Sequence, residues 1–147
     1  MAKHNERAFE DAIEEHLLGH GWLEGTTESF DRERALDAGH AVAFIQETQP
    51  EVWSVLTKEH GASVEKTVID WLAKALDMQG TLDVLRHGFK FFGKTLKLAY
   101  FPPTHGLNPD LVAKAKKNRL VVTRQARFDP ASEKSVDVLL SLNGLPV

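Results

Sequence analysis

The sequence predicts an α+β fold, with an amino-terminal helix and a helical insertion packed on an incomplete mixed sheet that ends at a β-hairpin. Three observations carry this expectation. Apolar residues keep a helical spacing of three to four through most of the chain up to Gly88. Beyond Gly88 the pattern changes to strand-like runs punctuated by Pro, Asn and Gly. Asn143-Gly144, set between apolar residues, is the dipeptide most favoured in a two-residue antiparallel turn.

A chain of 147 residues, 42% hydrophobic and 27% charged, can bury one real core and has the composition of a globular rather than a disordered protein. Residues 1–147 therefore read as a single domain. Its expected parts are an insertion over about 22–88 and a β-rich core over about 96–147 joined by helix 5–20. No apolar run reaches membrane-spanning length, and the first residues carry no signal-peptide pattern. Cysteine is absent, which excludes disulfides and thiolate zinc sites and fits a cytoplasmic protein. The net charge of −3 conceals an asymmetry: residues 1–80 hold 16 Asp/Glu against 7 Lys/Arg, and residues 81–147 hold 5 against 11. An acidic front and a basic rear follow, the latter suited to phosphates unless the segregation is merely solvated charge.

In chain order, residues 5–20 form an amphipathic helix capped by Asn5 and ended by Gly19 and Gly21, with Phe9, Ile13 and Leu17 as the buried stripe. A second helix is expected over Arg34–Gln46. A third starts at Thr48-Gln49-Pro50, with proline in the first turn, and buries Val52, Trp53 and Leu56. Ser63 caps a fourth, whose Val64, Val68, Trp71, Leu72 and Ala75 keep helical spacing, and a short helix covers Thr81–His87. Leu96–Phe101 reads as a strand stopped by Pro102-Pro103. Asn108-Pro109-Asp110 opens a helix of about ten residues by the cap-then-proline rule. Arg119–Phe128 is a β-branched strand, Asp129–Ser132 a turn, and Val136–Leu142 an almost wholly apolar strand. Leu145-Pro146-Val147 begins another strand. With that last member the meander reads as cut short.

Asp137 is the only charge in Val136-Asp137-Val138-Leu139-Leu140. A carboxylate in such a strand needs a cation, a basic partner or several donors. A plain structural pairing with Arg124 or Arg127 across the hairpin satisfies the same need. Glu10 lies beside the apolar stripe of its helix, where a solvated acidic face is the simpler reading. Between Leu111 and Phe128 stand six basic residues and no acidic one: Lys114, Lys116, Lys117, Arg119, Arg124 and Arg127. Such a run can track a phosphate backbone. The helix dipole accounts for the lysines without DNA, but not for Arg124 and Arg127. The seven histidines show no zinc-protease spacing, and Gly88–Gly93 is too sparse in glycine to cradle phosphates.

Arg119–Val147 resembles the nuclease domain of the R (restriction) subunit of type I restriction–modification enzymes. The strand Leu120-Val121-Val122-Thr123-Arg124-Gln125, the strand bearing Asp137, and the turn Leu142-Asn143-Gly144-Leu145-Pro146-Val147 carry the likeness. Phe44–Trp53, Val84–Lys90 and Leu98–Phe101 resemble the family in the same order, so the resemblance spans essentially the whole chain. It implies a PD-(D/E)xK-type sheet in which Asp137 is the motif carboxylate that ligates Mg²⁺. Glu10 matches the helix glutamate that often joins such sites, as in the Holliday-junction resolvases of the same fold. Val136 stands where the motif nominally has Pro. No Glu and no Lys follow Asp137 in these residues, so the Glu-x-Lys half of the motif is missing.

The resemblance further implies a Mg²⁺- and ATP-dependent site-specific deoxyribonuclease, with ATP bound in motor domains outside these residues. Its partners are double-stranded DNA and the methyltransferase and specificity subunits of the same complex, with no membrane. Lys116, Lys117, Arg119, Arg124 and Arg127 are then the candidate DNA-binding residues, Asp137 and Glu10 the catalytic and metal-binding ones. By itself the 147-residue piece is expected to be inactive. Two other readings stand beside this one: a non-catalytic DNA-binding or docking module, and a structural partner of a methyltransferase complex.

Overall fold

A computed structural model of the chain describes residues 2–26, 28, 30–31, 33–101, 108–127 and 135–147, with the side chains of 2–7, 125–127 and 135–137 outside the description. The fold is mixed α+β, and the chain divides into two compact units: Met1–Asp37 with Arg119–Val147, and Ala38–Asn118.

The first unit is a helix on a four-stranded mixed sheet. Helix α1 spans Ala2–Leu18, so it starts before Asn5, which lies within it rather than at its cap. It ends where Gly19 and Gly21 were expected to end it, and Gly21 takes a φ of 93°. The sheet has the order β1-β4-β5-β6, from strands β1 (Leu23–Glu24), β4 (Leu120–Arg127), β5 (Ser135–Leu142) and β6 (Leu145–Pro146). β4 and β5 pair antiparallel from Leu120↔Leu142 to Arg127↔Ser135, and β6 turns back beside β5, as the alternation and the Asn-Gly turn predict. Only β1 runs parallel, joining Leu23 to Val121 and Glu24 to Val122. The next residue is a glycine for a steric reason. Gly25 N–H donates to Val122 O at 2.8 Å, and a Cβ there would collide with Thr123 Oγ1 and Val121 Cγ1.

Residues 33–36 correct one expectation. Residues 33–35 form a turn, Leu36 is bridged to Asp31, and the helix anticipated from Arg34 begins only at Ala38. The Asp31 carboxylate accepts from the N–H groups of Glu33 and Arg34, and Ala35 adopts a left-handed φ of 53°, which no helix interior accommodates. Phe30 and Leu36 are thereby folded into the core of the unit, along with Val121, Val122 and Leu145.

The second unit contains α2 (Ala38–Thr48), α3 (Pro50–His60), α4 (Val64–Gln79), α5 (Thr81–His87) and α6 (Pro109–Ala115), with a hairpin of β2 (Phe89–Phe91) and β3 (Lys94–Leu96). Pro50 occupies the first turn of α3, and Asn108 caps α6 by accepting from Leu111 N–H at 3.1 Å. Ser63 does not cap α4 with its side chain. Its hydroxyl donates instead to His60 O, within a 3₁₀ turn over Gly61–Ser63. Phe44, Ile45, Leu56, Val68, Leu72, Phe89, Phe91 and Leu98 form the core.

The strand expected over Leu96–Phe101 stops at Leu96. Leu98 and Ala99 are buried, but neither belongs to a strand of the two sheets among the described residues. Two side-chain amides substitute. Gln49 Oε1 accepts from Lys97 N–H at 2.8 Å while its Nε2 donates to Lys97 O at 3.0 Å. Asn118 Oδ1 accepts from Tyr100 N–H and its Nδ2 donates to Tyr100 O. A buried main chain must find partners, and here the partners are not a sheet. The expected turn at Asp129–Ser132 lies outside the described residues.

Candidate functional site

The residues singled out for chemistry in the first unit come together around β4. Arg124 lies on the β4 face that also carries Leu120 and Val122, and helix α1 packs on this strand. The half-buried positions of α1 are Glu10, Ile13, Glu14 and Leu17, spaced i, i+3, i+4, i+7. The helix is therefore rolled by about one position from the expected Phe9/Ile13/Leu17 stripe, and Phe9 is 68% exposed.

Arg124 explains the roll. Its Nη2 donates to Glu10 Oε2 at 3.0 Å and its Nη1 to Asp11 Oδ1 at 2.7 Å, with Glu14 Oε1 at 3.9 Å. The side chains of Arg124, Glu10 and Glu14 are 21%, 14% and 21% exposed, so the charges are partly stripped of water and hold one another. Asp11 makes the shortest of the three contacts but is 64% exposed and keeps most of its hydration. The hydrogen bond to Asp11, followed by that to Glu10, holds the guanidinium above its ordinary pKa against the opposing effect of burial. Arg124 Nε is buried and has no hydrogen-bond partner among the described residues.

Asp137, nominated on β5, stands one position out of register with this cluster. Arg124 pairs with Val138, and Asp137 is the next residue along β5. The Asp137 side chain is outside the described residues, as is that of Arg127. Sequence reasoning nominated Glu10 and Arg124 separately, and the structure joins them. It missed Asp11 and Glu14, although their i+1 and i+4 spacing from Glu10 was the available signal.

The remaining basic residues are divided between the units. Arg119 belongs to the first, where Asn143 Oδ1 accepts from its N–H at 2.6 Å. Lys116 and Lys117 close α6 in the second. Both are exposed, and Lys117 Nζ donates to Glu47 O at 3.4 Å. Lys114 pairs with Asp110 at 3.6 Å and lies 5.3 Å from the centre of the Tyr100 ring.

The fit of a magnesium ion can be tested on the described side chains. Mg²⁺ takes oxygen ligands in near-octahedral geometry. Among the described residues no group of three His, Asp or Glu side chains is arranged to hold a metal ion. The α1 carboxylates converge on a guanidinium, and Glu10 spends one oxygen on it. These residues as they stand do not fit the ion, and no hydrolytic step is derived through it.

Comparisons with protein-family models, with curated proteins and with solved structures find no match. Among the described residues no helix is long and apolar enough to cross a membrane.

Proposed function

We propose that the chain is the amino-terminal nuclease domain of a type I restriction enzyme R subunit, which acts on unmodified double-stranded DNA after ATP-driven translocation. One observation supports the reading above the others: a helix carrying Glu10 is tied to the middle of the strand whose antiparallel partner carries Asp137. The resemblance calls for a helix acid and a strand acid on neighbouring elements of a small mixed sheet, and Asp137 stands one residue out of phase with Val138, the register partner of Arg124. The β4-β5-β6 meander closed by Asn143-Gly144 agrees with it.

In this proposal Asp137 is the motif carboxylate, and Arg124 sets the position of the α1 acids. The partners are double-stranded DNA and the methyltransferase and specificity subunits. No Glu-x-Lys follows Asp137 in these 147 residues, and no ATP site is assigned to them. The test is an assembled complex with unmodified plasmid and ATP, carrying Asp137→Ala or not. The expected result is loss of cleavage with phosphate release from ATP retained. Undiminished cutting by Asp137→Ala would show that Asp137 is a structural strand residue. The 147-residue chain is expected not to cleave DNA with Mg²⁺.

A second reading, a non-catalytic DNA-binding or docking module, draws support from the pairing of Glu10 with Arg124, which leaves that acid neutralised. Under this reading the assembled complex cuts DNA equally well with Glu10→Gln and with Asp137→Ala.

A further inference from the structure

The second unit contains a cleft of about 460 Å³ between α4 and the β2–β3 hairpin, remote in composition from the acids of the proposed function. Its walls are apolar. Trp71, Ala75 and Met78 come from one face of α4, at the i, i+4, i+7 spacing, and Phe89 comes from the start of the hairpin. Residue 88, where the chain enters the hairpin, is glycine at φ 74°; a Cβ there would run into the main chain at Leu96. Trp71 is held in place by an edge contact with Phe91 and a tilted contact with Phe92, at ring-centre distances of 5.6 and 5.0 Å. Trp71 is 37% exposed and Met78 86% exposed.

The charged lysines that line the cleft have no acid beside them in its lining. They are Lys74 and Lys90, both exposed. Neither lysine has an ion-pair partner among the described residues. At one end His87 and Gln79 turn their polar atoms to the Asp83 carboxylate, at 3.1 and 2.6 Å, so that acid is already engaged. An apolar hollow of a size that suits small ligands, bordered by two unneutralised ammonium groups, selects for an apolar body with an anionic head.

We propose that this cleft binds a small amphipathic organic anion: an aliphatic or aromatic body seated on Trp71, Ala75, Met78 and Phe89, with a carboxylate or similar head met by Lys74 and Lys90. A volume of about 460 Å³ is of the size that takes a small molecule. The inference is independent of the nuclease reading, since it uses none of the same residues.

The experiment titrates the 147-residue chain with 8-anilinonaphthalene-1-sulfonate, followed by fluorescence, and then displaces the probe with decanoate or 1-decanol. One saturable site per chain is expected, with decanoate displacing the probe at least tenfold more effectively than the uncharged alcohol. The double variant Lys74→Glu/Lys90→Glu should weaken probe binding at least tenfold, whereas Lys74→Arg/Lys90→Arg should leave it within about threefold, a tenfold change being about 1.4 kcal/mol. Equal displacement by decanol, or binding unchanged by charge reversal, overturns the proposal. So does sedimentation showing a dimer that Trp71→Ala dissolves, because the cleft then belongs to a second copy. Should the charge-reversed form not fold, amide and indole shift mapping of the unaltered chain with decanoate decides. Shifts centred on Trp71, Gly88 and Lys90 sustain the site, and shifts elsewhere sink it.

Discussion

Glu10 and Arg124 meet at 3.0 Å although 114 positions separate them in the chain, and both side chains are more than three-quarters covered. The pair fixes which face of α1 lies on β4. Removing one partner from a partly buried pair leaves the other charge without compensation. Arg124→Met leaves both Glu10 and Glu14 in that state, and we expect it to lower stability by about 1–3 kcal/mol. Glu10→Gln retains a hydrogen-bond acceptor and should cost less. Urea denaturation followed by circular dichroism measures both. A loss for Arg124→Met below about 0.5 kcal/mol would class the cluster with ordinary exposed ion pairs.

Asn143 and the main chain of Arg119 form a second junction. Asn143 is fully buried, holds a left-handed φ of 52°, accepts from Arg119 N–H at 2.6 Å and donates its own N–H to Arg119 O at 2.8 Å. Asn143→Ala loses the side-chain bond and strains the backbone, for an expected cost of about 2–3 kcal/mol. Asn143→Gly relieves the strain but not the lost bond and should fall between. If both variants melt like the parent chain, the bond contributes nothing net to the fold.

Tyr100 gives a pH test with a single reporter, because the chain has one tyrosine. Burial raises its pKa above 10.0, with Lys114 pulling it down and Asp110 pushing it up. An acid whose folded pKa is raised binds its proton more tightly when folded. Its effect is absent below the unfolded pKa, and stability falls as the pH climbs from there through the higher folded value. Tyrosinate absorbance should therefore titrate at higher pH in the folded chain than in urea. The reverse order would mean that Lys114 outweighs desolvation.

DNA binding, on the proposed function, should be weak, independent of sequence and steeply salt-dependent. Lys116→Glu/Lys117→Glu should reduce it across all sequences alike and flatten the salt slope by about two. Arg124→Met should weaken binding less per charge lost, because its guanidinium already serves three carboxylates. Filter binding or anisotropy over a salt series measures this. Salt-insensitive binding points to docking on protein instead.

Some of the architecture is legible in single residues. Pro50 and Asn108-Pro109 mark helix starts, and period-two alternation with Asn143-Gly144 sets β4, β5 and β6 in register, because each signal acts through its own backbone. The hairpin at Phe89–Leu96 left a fainter trace, two alternating triplets about Phe92-Gly93.

What the sequence by itself determined is thus most of the helices and the β4-β5-β6 meander, because those elements rest on φ preferences, caps and local periodicity. Tertiary structure decided the rest. The α1 stripe could be read as Phe9/Ile13/Leu17 or as Glu10/Ile13/Glu14/Leu17, and a distant arginine chose the second by offering a countercharge no local pattern reveals. The apolar run after Leu96 had the makings of a strand, but Gln49 and Asn118 reached its peptide groups. Trp71 kept its helical phase yet became a cleft wall, since the packing of Phe91 and Phe92 leaves its indole at the surface. In each case the local pattern is satisfied by more than one arrangement, and the free energy that separates them comes from partners far away in the chain.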